Sequence, residues 1–298
     1  VNSSTRTQSR FEPLVHPGPL AEERLESVSS ATVIARYSLT PGSRLIDSID
    51  EALTELGLDS AQVELLGGPL ARVSYCVPAL CTDGTRAAWY SETRESAEPA
   101  TIVGGSATVG RRDGERFMHC HAVWFDANGS LRGGHLWPDT VVGASPVEVV
   151  LHAFDSLELS SAIDDETLMP VFTPSRRSGS GIGTGRAVMT RVRPGVEIHE
   201  AIRQVMAESG MRRASLRGSL GSLVGATMRR EDGTLLAPGP ATEVTLAGYV
   251  VHEGDRLVEA RLPTFAIDRH GAVHVGELAD HGNLVAVTFE LFLEEIAS

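Results

Sequence analysis

The chain repeats itself, and the repeat restricts the fold to two copies of one design. Thr40-Pro41-Gly42 returns as Arg193-Pro194-Gly195, 153 residues later. At the same offset Leu45, Ile49 and Leu53 fall on Ile198, Ile202 and Met206, Gly57 falls on Gly210, and Gly68 on Gly221. Each window reads as an extended strand, a Pro-Gly turn and an amphipathic helix whose apolar stripe packs on a core. A glycine stops each helix. Farther on the offset drops to 142, where Asp126 and Gly129 match Asp268 and Gly271. The first copy therefore carries an insertion, placed in Val77 to Ala100. Both copies end in apolar segments, Val142 to Leu151 and Leu284 to Leu293, read as strands or strand-plus-helix endings.

A chain of 298 residues is long enough for two domains with ordinary cores. The boundaries expected are a polar leader arm over 1–30, a first domain over 31–153, a linker over 154–185 and a second domain over 186–298. The spaced glycines of Ser175 to Gly185 cradle a phosphate only if a strand precedes them and a helix follows. A strand follows instead, so a flexible linker is expected there.

The chemistry concentrates in three histidines of the first copy. Phe117-Met118-His119-Cys120-His121-Ala122-Val123-Trp124-Phe125 alternates without helix breakers and reads as a strand. Residues two apart share a face, so His119 and His121 project together while Cys120 points away. Asp126 to Gly129 is a turn, and a returning strand brings back His135 in Gly133-Gly134-His135-Leu136. Three neutral imidazoles around one point, with a fourth position open, is an arrangement that holds a catalytic zinc. A lone histidine on a strand is more often a satisfied core or surface residue, and the third histidine on the hairpin return argues against that here.

The residues His119-Cys120-His121, Asp126, Gly133-Gly134-His135-Leu136 and the ending Val147-Glu148-Val149-Val150-Leu151 resemble the plants-and-prokaryotes conserved domain (PPC or PCC), found also in plant AT-hook nuclear proteins. The resemblance covers about 31–153 and 186–296. It implies an α+β fold in each half, a mostly antiparallel β-sheet packed against an α-helix. It further implies a divalent-metal site at His119, His121 and His135, zinc by preference, and a homo-oligomer, commonly a trimer of single domains. The second copy departs from the motif. Counting back from Asp268 places Arg261, Pro263 and Glu277 at the three histidine positions; a two-residue shift puts Glu259 and Arg261 at the first two. His270, His274 and His281 miss the motif positions and read as turn and surface residues.

Catalysis needs a proton carrier and substrate-orienting groups as well. Glu148 in the closing segment, Tyr90 and Glu92 as a lid from the insertion, and Arg36 as a carboxylate anchor are the candidates. Each is equally an ordinary surface or loop residue. Trp137 is placed to wall the pocket. Cys76 and Cys81 sit in a loop without a matching pair, and three cysteines in a chain this long imply reduced thiols.

Charge disfavours one class of partner. With 39 acidic against 26 basic residues the formal net charge is −13, which opposes the phosphate contacts of nucleic-acid binding. The pairs Arg111-Arg112, Arg176-Arg177, Arg212-Arg213 and Arg229-Arg230 form no stripe and read as solvated surface. No apolar run reaches membrane-span length and the Val1–Arg10 segment is polar, so a cytoplasmic location is the expectation. The expected function is a metal-dependent enzyme, hydrolase or lyase, acting on a small organic substrate through a metal-activated water or metal-polarised oxygen. The alternative is a ligand-binding or assembly protein with a structural metal; a DNA-associated regulator ranks third. The second copy is expected to complete the pocket around the first copy's histidines.

Overall fold

The computed structural model describes residues 11–297. Each copy contains one helix, α1 (Leu45–Glu55) and α2 (Ile198–Ser209), and the remaining elements are strands. The stripes read from sequence are the buried faces: Leu45, Ile49 and Leu53 in α1, and Ile198, Ile202 and Met206 in α2, have no exposed surface. The chain leaves both helices through a left-handed glycine, Gly57 and Gly210, each at φ 69°. Only glycine adopts that conformation without a steric cost.

In the first copy the sheet runs in the spatial order Leu25–Leu39, Val147–Phe154, Ala61–Arg72, Ala100–Arg112, Glu115–Phe125, Leu131–Leu136, Ser74–Cys76, every pair antiparallel. The second copy repeats it as Gly185–Val192, Val285–Glu295, Ser219–Leu223, Thr242–Leu246, Pro263–Ile267, Val273–Leu278, Ala226–Arg230. Gly68 and Gly221 mark the same close approach in both. A Cβ on Gly68 would lie 2.6 Å from the Cα of Val147, and one on Gly221 2.5 Å from the Cα of Phe289. The Asp126 and Asp268 turns also match. Each carboxylate accepts backbone N–H bonds from the residues two and four ahead, Asn128 and Ser130 in one, His270 and Ala272 in the other.

Two expectations about the connecting segments are corrected. Leu25–Ser30, assigned to the leader, is the start of a fifteen-residue strand. Its first half pairs with Gly185–Val192 of the second copy, and its second half with Val147–Phe154 of the first. The two copies thus share one hydrogen-bonded sheet. Upstream, the His16 ring hydrogen-bonds the Ala286 carbonyl and Arg24 pairs with Glu166 at 2.7 Å, so 11–24 is docked rather than free. The first ten residues of the expected arm lie outside the described residues. The linker is likewise mostly structured: Leu157–Ile163 and Pro170–Arg176 form a hairpin. Leu157, Leu159 and Phe172 bury against Phe154, Met189 and Phe292 in a small core between the copies. Burial of alternate side chains outweighs the turn-rich composition that suggested a linker. The longest stretch without strand structure there is the glycine-rich 177–184; 164–169 is the hairpin loop. Among the described residues no helix is long and apolar enough to cross a membrane.

Candidate metal centre

Glu115–Phe125 and Leu131–Leu136 pair so that His121 stands directly opposite His135. His119 lies two residues before His121 on the same face, and Cys120 points the other way into the first copy's core, fully buried. The three imidazoles each offer one nitrogen to a cluster whose ligand atoms lie within 4.8 Å of one another. The cluster floors a cavity of about 290 Å³.

The hydrogen-bond pattern shows what this cluster lacks. The Nδ1 of His121 lies 3.1 Å from the Val244 carbonyl, an acceptor only, so that nitrogen carries the proton. The Nδ1 of His119 lies 2.5 Å from Glu290 Oε2 and donates to the carboxylate. The two Nε2 atoms face each other at 3.1 Å, and they do so as two bare lone pairs whenever both rings are neutral. Neither nitrogen of buried His135 has a hydrogen-bond partner. Burial, then the neighbouring His119, holds His121 and His135 well below the usual histidine range, so neither rests as an imidazolium. Three imidazoles converging in a buried site are a donor set that fits a divalent metal.

The second copy contributes the acidic half of the site. Glu290, on Val285–Glu295, holds His119 and also accepts a bond of 3.3 Å from the Thr108 hydroxyl. Glu243, on Thr242–Leu246, brings Oε1 within 3.8 Å of His121 Nε2, while its Oε2 has no partner. Burial alone pushes the Glu243 carboxyl well above the usual range. At the 142 offset Glu290 is the counterpart of Glu148, the sequence candidate. Glu148 itself is exposed and bonded to the Ser38 hydroxyl at 2.7 Å. The repeat position is the same; the copy that faces the histidines is the other one.

The model of the Plants and Prokaryotes Conserved (PCC) domain matches residues 27–155 and again 179–297. The chain belongs to the PCC domain family, twice over. Its PCC domains are similar to several solved structures. One is a metal-containing protein from Archaeoglobus fulgidus, at 22% identity and TM-score 0.39, covering 48% of this chain and 94% of that one. Another is a plant- and prokaryote-conserved protein from Pyrococcus horikoshii, at 18% and 0.37, covering 45% and 87%. A third, from Ralstonia eutropha and described as a candidate DNA-binding protein, stands at 14% and 0.39, covering 46% and 88%. No curated protein matches.

The second PCC domain carries no histidine cluster. Pro263 pairs with Glu277 there as His121 pairs with His135 in the first, which selects the unshifted correspondence. Pro263 lacks an N–H for the ladder, and the strand breaks at Leu262 into Arg256–Arg261 and Pro263–Ile267. Arg261 and Glu277, at the positions of His119 and His135, face each other as an ion pair at 3.5 Å, with Arg229 beside Glu277 at 3.7 Å. His274 accounts for itself by bonding Asp268 Oδ2 at 2.9 Å, the place Arg132 takes on Asp126.

Of the other candidates, Tyr90 reaches the cavity, its ring 5.2 Å from that of His135. Trp137 walls it, 4.9 Å from the same ring. Glu92 and Arg36 are exposed and outside the cavity. Cys76, expected in a loop, is buried in the strand Ser74–Cys76 and pairs with the His135 backbone. Glu243 and Glu290 escaped sequence reading, and Arg112, expected as solvated surface, lines the cavity instead. The signal for Glu290 was a lone carboxylate in the run Val285 to Leu293, whose other residues are apolar except Thr288.

Proposed function

We propose that this tandem PCC protein is a zinc-dependent enzyme acting on a small organic molecule, a hydrolase or lyase. The observation that carries the reading is the convergence of three imidazoles, His119 and His121 facing each other Nε2 to Nε2 at 3.1 Å beside unpartnered His135. His119, His121 and His135 would hold the metal, which supplies a Lewis acid that polarises a substrate oxygen or acidifies a water. Glu290 orients His119 and fixes its tautomer. Glu243 Oε2, buried and unpartnered, is best placed to take or give a proton at the substrate. Tyr90 and Trp137 narrow the space around His135 and limit water entry.

A structural metal is the weaker reading. The two copies are already joined by eight paired positions between Leu25–Thr32 and Gly185–Val192, and a metal that only fastened them would not need a cavity beside it. A DNA-associated role is opposed by the −13 charge. The test is metal analysis of the purified chain and of Glu243→Gln. The reading expects one zinc per chain in both, with turnover of a metal-dependent substrate lost only in Glu243→Gln. Absence of zinc uptake would overturn it.

A further inference from the structure

Among the described residues, the cavity lining holds one arginine and no lysine, and neither of its two carboxylates, Glu243 and Glu290, pairs with that arginine. Arg112, on Ala100–Arg112, lines the same cavity as the three histidines. Its guanidinium lies over the Phe117 ring at 3.8 Å and donates through Nε and Nη2 to the Ser161 hydroxyl at 3.2 and 3.0 Å. No carboxylate among the described residues pairs with it, although the chain is strongly acidic. Its neighbour Arg111 shows the contrast, bound to Asp59 at 2.8 Å. Stacking on Phe117 and the bonds to Ser161 hold the Arg112 plane in place, and leave its Nη1 donors without a partner.

The lining's other unpartnered polar atoms are Trp137 Nε1, a donor only, Thr288 Oγ1, both nitrogens of His135, and one carboxylate oxygen each of Glu243 and Glu290, which belong to the histidine floor. The remaining wall is mostly apolar, including Tyr90, Met169, Val171 and Phe172. An apolar cavity with a fixed, uncompensated guanidinium suits a ligand with an apolar body and an anionic, planar, oxygen-bearing end. We propose that the site takes small carboxylic acids with an aromatic or alicyclic body, the carboxylate held by Arg112 while the rest of the molecule reaches the histidine floor. This rests on the metal-site reading for what happens at the floor, but not for the anchoring by Arg112.

The experiment is calorimetric titration of the full chain, zinc-loaded and zinc-free, with benzoate, phenylacetate and cyclohexanecarboxylate, each against its neutral amide. Arg112→Gln, Arg111→Gln and His135→Ala are compared after circular dichroism confirms folding, with Arg112→Lys as the charge-retaining variant. Expected are acids preferred over amides, a loss of about tenfold or more in Arg112→Gln, partial retention in Arg112→Lys and no change in Arg111→Gln. Equal binding of acids and amides, or no binding of any acid, overturns the proposal. So does acid binding that survives Arg112→Gln but disappears in His135→Ala, because the carboxylate would then be bound at the floor. Zinc content is measured on the same samples. Acid binding through Arg112 in a chain that takes up no zinc keeps this inference and overturns only the metal reading.

Discussion

His119 and Glu290 touch across the two copies, Nδ1 to Oε2 at 2.5 Å, so the histidine motif of the first PCC domain is completed by a carboxylate of the second. A carboxylate behind a metal-binding imidazole fixes its orientation and raises its basicity. Glu290→Gln should therefore weaken zinc binding about 10–100-fold, measured by competition with a chelating dye. Glu148→Gln, the same repeat position in the first copy, should leave zinc affinity unchanged.

The copies also meet at a buried charge cluster away from the metal centre. His152 lies 3.1 Å from both Glu64 and Glu294, and Arg217 bonds Glu64 at 2.9 Å. Burial pulls the His152 pKa down, but the hydrogen bonds its ring donates to Glu294 and Glu64 outweigh it and the net shift is upward from 6.5. Glu64 and Glu294 are also penalised by burial, yet their bonds to His152 and its neighbours hold them below the ordinary 4.5. The raised histidine stabilises fully below pH 6.5 and loses its contribution as pH rises through its folded value; the lowered carboxylates stabilise above 4.5 and lose theirs as pH falls. The cluster's contribution should thus peak between 4.5 and 6.5. Thermal melting of wild type and His152→Ala checks this. The gap between them should be largest in that window, about 3 kcal/mol, and should narrow toward alkaline pH.

Gly68 and Gly221 should tolerate no side chain. Each Cβ would meet the Cα of a neighbouring strand, and Gly68 also has φ 138°. Gly68→Ala and Gly221→Ala should each cost about 1–3 kcal/mol, read from urea midpoints at unchanged m-value. Gly114→Ala, at an open turn with φ 82°, should cost only its backbone strain, about 1 kcal/mol.

Local patterns carried much of this architecture. The helix stripes, their glycine stops, the Asp126 turn and the His119–His121–His135 convergence all depend on residues near one another in sequence or across one hairpin. Glu243 and Glu290 were not legible because they reach the site only through the packing of one copy on the other. Arg112 looked solvated beside Arg111, and only the fold of the Leu157–Arg176 hairpin brings Ser161 and the apolar Met169, Val171 and Phe172 to its cavity. The Leu157–Arg176 hairpin was hidden by its serines, prolines and glycine-rich flank, although Leu157, Leu159 and Ser161 alternate as a strand should.

The most direct test of the metal centre is zinc stoichiometry by plasma mass spectrometry on the full chain, His119→Ala and His135→Ala, with folding checked by circular dichroism. The account predicts one zinc per chain in the wild type and its loss in both variants while the fold persists. Unchanged zinc in both variants, or none in the wild type after loading, would contradict it.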